Sequence, residues 1–393
     1  LPLVLLGFLL IQRLGYGLSL AFLLAASLFF YGYHEPIYLL LILGSILWNY
    51  GFGSRLRIQA SKPLLWLAVA GNLALLGVFK YAGFSVATLA VITGTELALP
   101  NIVLPLAISF FTFQQIAYLV DSYHGKTTPD NLLKYALYVA FFPQLIAGPI
   151  VKQQDVMGDI NAGRLKITAA GFAPGATLFL FGLLKKVVFA DHFASLADPG
   201  FAAVAAGQAV TTEEAWLGLL AYGLQIYFDF SAYSDMAIGI GMIFGLRLPI
   251  NFNSPYKARS IIDFWRRWHM TLSAFLRDYL YVPLGGNRHG PWRRHANLMI
   301  VMLLGGLWHG ADWAFVLWGG LHGFYLIVNH GYRKLATGPL AALSPLVNAI
   351  AWPLTFLAVT LAWVPFRANG LLWVDYYAAL FAPNFGGFDE AAA

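Results

Sequence analysis

No cysteine occurs among the 393 residues, which excludes disulfides, thiolate metal sites and any thioester carried on the chain itself. Charge is scarce as well. Asp, Glu, Lys and Arg make up 11% of the sequence against 59% hydrophobic residues, and a mean hydropathy of +0.68 is too apolar for a domain surrounded by water. Acids are the scarcer sign, 18 against 24 Lys and Arg, giving a formal charge of +6. In a soluble chain that excess would suggest nucleic acid. Here the cations lie in segments between apolar runs, where they report membrane topology, and nucleic acid is discarded as a partner. The sequence contains neither His-Glu-x-x-His nor a Cys cluster, so no metal site is expected, and no Gly-x-Ser-x-Gly elbow supports a serine nucleophile. A basic n-region with a cleavage site is also missing before Leu1, so the start is expected to be cut.

Apolar runs of membrane length recur throughout, which makes the expected fold class all-α, a polytopic integral membrane helical bundle. A short apolar piece at 1–12 precedes spans at 16–33 and 36–52, divided by the polar turn His34-Glu35-Pro36; Arg55, Arg57 and Lys62 then place the chain in the cytoplasm. Residues 63–79 cross back, 84–93 is a weak piece, and Thr93 to Asn101, with Glu96 and no cation, is expected outside. Residues 102–120 return. Between Tyr135 and Val151, Pro143, Gly148 and Pro149 argue for a re-entrant element over a straight helix. The span at 168–190 carries Lys185 and Lys186, and 191–214, with Asp191, Asp198, Glu213 and Glu214 but no cation, reads as an outer loop. Asp229 and Asp235 lie inside the span from Trp216 to Gly245 and are read as partners within the bundle. Val347 to Trp363 is a further span and 371–382 a last apolar piece, with no internal repeat or second domain visible.

The stretch from Asn297 to His330 is different, because it carries His309 and His322 inside an apolar run, where polar groups are costly. As one helix it would be about 50 Å long at ~1.5 Å per residue, beyond a hydrocarbon core of ~30 Å, yet it is short for two spans and a turn. Arg288, Arg293 and Arg294 precede it and Arg333 and Lys334 follow it, which puts both ends on the cytoplasmic face. Two short or broken helices are therefore expected, meeting at Trp308-His309-Gly310-Ala311-Asp312-Trp313. Non-helical backbone at that depth must line protein or a wet cavity, so His309 is expected at the bottom of a central aqueous funnel.

Three segments together carry a resemblance: Phe228-Asp229-Phe230-Ser231-Ala232-Tyr233-Ser234-Asp235, Asp263-Phe264-Trp265-Arg266-Arg267-Trp268-His269-Met270-Thr271-Leu272-Ser273, and Gly306-Leu307-Trp308-His309-Gly310-Ala311. They resemble the membrane-bound O-acyltransferase family, in particular its bacterial branch for O-acetylation of alginate, cellulose and peptidoglycan. Pro143 to Pro149 and Tyr281 to Arg288 support it, and the similarity runs from about residue 28 to 330. The resemblance implies a single membrane-bound O-acyltransferase domain over 1–393, truncated at both ends, since further spans are expected beyond 382. It also implies a cytoplasmic funnel for the acyl donor meeting an outward opening for the acceptor. The family histidine falls on His309 and a second polar position on His269. The donor substrate would be acetyl-CoA, with no permanently bound cofactor, in a bacterial inner membrane. A periplasmic serine-esterase-like protein would make the final transfer to sugar, with exopolysaccharide-synthesis subunits and lipid as neighbours.

Each residue also has a plainer reading. His309 can take a proton from an attacking hydroxyl, or merely bond a neighbouring helix; its depth favours the first. Asp312, three residues on, would orient the ring if the turn stays helical. The apolar residues from Ile261 to Phe275 alternate with Lys257, Arg259, Arg266, Arg267 and Arg277, the pattern of an interfacial amphipathic helix. Pattern alone makes those arginines topological anchors, though Arg266 and Arg267 could bind coenzyme A phosphates. The resemblance makes His269 a participant at the funnel floor. His322 could support the site by helping to position substrate, but the preferred reading is a bond to a backbone carbonyl, and the other histidines are expected to be solvated. A transporter for an ion or lipid-linked sugar stays open on sequence alone, as does an acyltransferase with another acceptor, for teichoic-acid D-alanylation or protein lipidation.

Overall fold

The computed structural model describes residues 1–33, 35–95, 97–98, 102–128, 130–336 and 344–382; His34, Glu96, Asn101 and the tail after Ala382 lie outside them. Among the described residues the regular elements are all helical. The chain groups into two compact units, one from residues 1–183 and 233–250, the other from 184–232 and 251 onward.

The first unit begins with α1 (Pro2–Ile11), α2 (Tyr16–Gly32) and α3 (Tyr38–Ile58). The expected crossing at 63–79 and the weak piece at 84–93 are one helix, α4, which runs from Lys62 to Thr93 through a π turn at Gly77–Tyr81. A single wide turn lets the ladder continue where the apolar signal dips. Asn49 on α3 and Asn72 on α4 exchange amide hydrogen bonds of 3.0 and 2.7 Å in the buried interior, a pairing that fixes the register of two otherwise apolar helices. Next come α5 (Ile108–Tyr123), α6 (Leu132–Ala140), α7 (Phe142–Leu145) and α8 (Gln153–Asn161). The break between α6 and α7 at Phe141 (ψ 109°) puts Pro143 in the first turn of α7, where its missing N–H costs nothing, in line with the interruption expected of this segment.

Asp159 on α8 accepts from Arg247 Nη2 at 2.8 Å and Nε at 3.2 Å, and from Arg164 Nη1 at 2.9 Å. Burial pushes its carboxyl up, but the bonds from Arg247 and Arg164 outweigh burial and hold it below its ordinary value. A carboxyl depressed by folding stabilises above its unfolded pKa of about 3.9, and that contribution is lost as pH falls through the lower folded value. Thermal unfolding from neutral pH to about pH 3 should therefore fall more steeply for the natural chain than for Asp159→Asn; parallel curves would remove this role.

The second unit starts in α9. Residues 191–214, expected as an outer loop, are helical as far as Ala205, and α9 is continuous from Ala169 to Ala205 with a π turn at Lys185–Ala190. Ala194, Ala197, Ala202, Ala203 and Ala205 supply helix propensity that the charge count overlooked. Two of the acids there are ion-pair partners: Lys186 bridges Asp191 at 2.8 Å, and also Asp229 on the next helix at 2.7 Å, and Arg367 holds Asp198 at 2.7 Å. Asp229 is thus an ion-pair partner, but an exposed one and not interior to the bundle as expected. After α10 (Thr212–Ile243), the presumed amphipathic helix of 257–277 is two short helices, α11 (Ile261–Trp265) and α12 (Met270–Leu276). Between them His269 takes a left-handed backbone (φ 42°), which ends one helix before the other begins. α13 (Gly290–His309), α14 (Trp313–Ala336), α15 (Ser344–Arg367) and α16 (Leu372–Phe381) complete the unit. Its core is aromatic, built on Phe264, Trp268, Trp318, Trp363 and Tyr376. Among the described residues four helices are long and apolar enough to cross a membrane, namely Tyr38–Ile58, Lys62–Thr93, Ala169–Ala205 and Val347–Arg367.

Candidate functional site

α13 and α14 form an antiparallel hairpin closed by glycine. Gly306 lies against Phe315 and Gly319, Gly319 against Met302, and Gly323 against Met299. A Cβ on Gly306 would overlap the Phe315 carbonyl, and one on Gly319 the Met302 carbonyl, so the two backbones approach only through glycine. Antiparallel packing puts Arg293 and Arg294 at the same end as Arg333 and Lys334, as the flanking charges implied. The arms are not short, however. At 20 and 24 residues they reach about 30 and 36 Å, because each helix continues into its basic flank beyond the apolar run. The break falls where expected: α13 stops at His309, Gly310 is extended (φ −156°, ψ 147°), and the Phe315 ring fills the space a side chain at 310 would need. Along α13, His309 lies roughly 22 Å from Arg294. With that arginine at an interface, the imidazole is deep within a ~30 Å hydrocarbon layer.

His309 is partly exposed. Trp308, Trp318 and Phe366 frame it edge-on at centroid distances of 4.9, 5.1 and 5.2 Å. His269 faces it at 6.4 Å and is fully buried, edge-on to Phe230 at 4.8 Å. Its Nδ1 is 3.0 Å from Asn251 Oδ1, and its Nε2 has no hydrogen-bond partner among the described residues. The centroid separation is too large for a direct nitrogen–nitrogen hydrogen bond, which needs heavy atoms within about 3.2 Å.

The remaining expected residues divide. Asp312 is not one helical turn from His309, since the helix is broken at Gly310. Its carboxylate instead accepts the Ala314 N–H at 2.8 Å, capping α14, and the Gly370 N–H at 3.2 and 3.3 Å. His322 is buried without the expected carbonyl bond; neither ring nitrogen has a partner among the described residues. Trp318, Trp265 and Phe264 enclose it at 4.8, 5.2 and 6.0 Å, so its surroundings are ring faces and edges. Arg266 lines a cavity of about 620 Å³ together with Trp265, Met270, Arg277, Tyr281 and His330. Arg267 does not line it: its Nε donates to Asp263 at 2.9 Å and its Nη1 to the Asn253 carbonyl at 3.4 Å. Arg277 is engaged with Asp278 at 2.7 Å. Among the described residues no group of three or more metal-ligating side chains forms.

Three contributors were missed on sequence. His330, read as solvated, lies on the face of α14 shared with His322 and Leu326, at a helical spacing that could have revealed it. Trp318 resembled ordinary core. Asn251 had no local signal, being 18 residues from His269.

A model of the membrane-bound O-acyltransferase family, MBOAT, matches residues 128–364, a segment that contains both histidines, the hairpin break and the cavity. The chain belongs to the membrane-bound O-acyltransferase family. This O-acyltransferase is 45% identical to the probable alginate O-acetylase AlgI of Pseudomonas aeruginosa, over 91% of its own length and 68% of that protein's. The peptidoglycan O-acetyltransferase of Helicobacter pylori is 43% identical, over 94% of this chain and 77% of the relative. A teichoic acid D-alanyltransferase of Streptococcus thermophilus is more distant, 28% identical over 58% of the chain and 57% of the relative. Family membership makes the protein a multi-pass membrane enzyme and sets aside the transporter reading.

Proposed function

We propose that this O-acyltransferase takes acetyl from cytoplasmic acetyl-CoA and passes it across the bacterial inner membrane for O-acetylation of an exported polysaccharide, alginate or a similar polymer. The observation that carries the reading is the partly exposed His309 facing the buried His269 across 6.4 Å. The acetyl specificity rests on the activities named for the two relatives above 40% identity. In the reaction, an imidazole takes the proton of an accepting hydroxyl as its oxygen attacks the thioester carbonyl. The carbon–sulfur bond then breaks, the proton passes to the departing thiolate, and an ester and free coenzyme A remain. The chain supplies proximity and a site that limits water around a reactive thioester.

The donor reading is supported by the cavity beside α11 and α12, whose apolar wall carries Arg266 and Arg277. An apolar pocket rimmed by cations suits a thioester with a phosphorylated tail. Release of acetyl to a periplasmic serine-esterase-like partner, next to the polymer-synthesis machinery, would complete the route. Purified protein given acetyl-CoA and a soluble acceptor should consume the thioester, and absence of turnover with any hydroxyl acceptor would sink the assignment. Within that assay Arg266→Ala should raise the KM for acetyl-CoA about tenfold, or ~1.4 kcal/mol, with kcat little changed. Arg267→Ala should leave KM alone, because its guanidinium is held by Asp263. Equal effects of the two changes would argue against the cavity as donor site.

A further inference from the structure

Four hydrogen bonds to Asn251 hold the backbone and the ring of the 269–271 segment. The Asn251 carbonyl accepts the Met270 N–H at 2.9 Å. Its side-chain oxygen accepts the Thr271 hydroxyl at 2.9 Å and the Thr271 N–H at 3.3 Å, and lies 3.0 Å from His269 Nδ1. Amide oxygen and nitrogen are easily exchanged in assignment, but here chemistry settles them. A backbone N–H can only donate, so the atom facing Thr271 must be the oxygen. An amide oxygen can only accept, so the His269 nitrogen beside it must carry a proton. In a neutral imidazole that leaves Nε2 without one, and Nε2 is the buried atom with no partner among the described residues.

We infer that Asn251 is the positioning residue that fixes His269 as its Nδ1–H tautomer, leaving Nε2 as the ring's proton-accepting atom at the site. Asn251 also steadies a left-handed backbone at His269 (φ 42°), a region that non-glycine residues populate sparsely. The titratable group facing His269 is His309; the other rings against it, Phe230, Phe252 and Trp308, are uncharged. The inference rests on the acyl-transfer reading only for its catalytic consequence, since the tautomer can be observed without turnover.

The test uses the full chain in detergent or nanodiscs. Nitrogen-15 NMR of histidine-labelled protein, with the His269 signals identified by their loss in His269→Gln, should show the Nδ1–H tautomer; an Nε2–H form or a rapidly exchanging mixture would overturn the inference. With acetyl-CoA as donor, Asn251→Ala should lower kcat by 10–100-fold, the usual effect of losing a partner that orients a functional histidine, at unchanged KM. Asn251→Asp keeps an acceptor for all three donors. It should recover most of the loss and move the pH profile of kcat/KM upward, because a carboxylate favours the imidazolium. A purely structural role predicts no such pH displacement, and its absence would count against the proposal. If Asn251→Ala does not fold, the NMR result on the natural chain still decides. If His269→Gln keeps full turnover, the catalytic reading of His269 falls while the tautomer assignment stands.

Discussion

Replacing His309 with alanine should lower acyl transfer by 10²–10⁴-fold, the range in which a positioned proton-transfer group contributes, while helix content and melting temperature change little. The stability half follows from the ring's setting. His309 is partly exposed and ends α13 instead of anchoring the core; the aromatic rings around it keep their own contacts, including Trp318 against Trp363 at 5.9 Å and Phe366 against Trp363 at 5.2 Å. The rate half follows from chemistry, since an imidazole changes charge near neutral pH and alanine cannot carry a proton. Thioester consumption by purified variant and natural protein measures the first half, circular dichroism and thermal unfolding the second. Turnover persisting in the alanine variant would end the assignment of His309. Loss of turnover accompanied by loss of fold would show that the ring is structural.

A second large effect is expected at Gly319, and here it falls on folding. A Cβ at this position meets the Met302 carbonyl and the Leu303 Cα, backbone atoms that cannot rotate aside. Gly319→Ala must therefore force α13 and α14 apart. Overpacking of this kind costs typically 1–3 kcal/mol and sometimes more, a sizeable share of a net stability of roughly 5–15 kcal/mol. Since the hairpin also sets the distance between His309 and His269, activity should fall with stability. The neighbouring Gly320 provides the control. A Cβ there would stand 3.6 Å from Leu303 Cδ2, an ordinary contact, so Gly320→Ala should be tolerated. Similar melting temperatures for the two variants would refute the tight glycine seam.

Gly319 also illustrates how much of the site could be read in advance. The repeated glycines between 305 and 323 are visible in the chain, but glycine is equally at home in a loop, a kink or a close helix crossing. Only the facing Met302 carbonyl selects the last of these. Gly310 was legible because a Trp-His-Gly junction inside an apolar run, flanked by cations at both ends, permits few backbones in a bilayer. Asp312 went the other way: three-residue spacing suggested a partner for His309, and the break that made the junction legible also cancelled the helical turn on which that pairing depended. The segment 191–205 misled through its charges, whose absence of Lys and Arg resembles an exterior loop until Lys186 and Arg367 are seen reaching the acids from elsewhere.

From the chain alone came the membrane class, the helical character, the hairpin with both ends on one face, and His309 and His269 as the residues to test. All but His269 follow from local chemistry, namely apolar length, the cost of polar groups in hydrocarbon, and the position of cations beside apolar runs; His269 came from the family resemblance, since pattern alone made it a bystander. The tertiary structure alone decided that Arg266 lines the cavity while Arg267 is bound to Asp263, that Asp312 caps α14, and that Asn251 holds His269. Each of these depends on which atoms meet across tens or hundreds of residues, and hydrogen-bond direction, unlike hydrophobicity, leaves no periodic trace along a sequence.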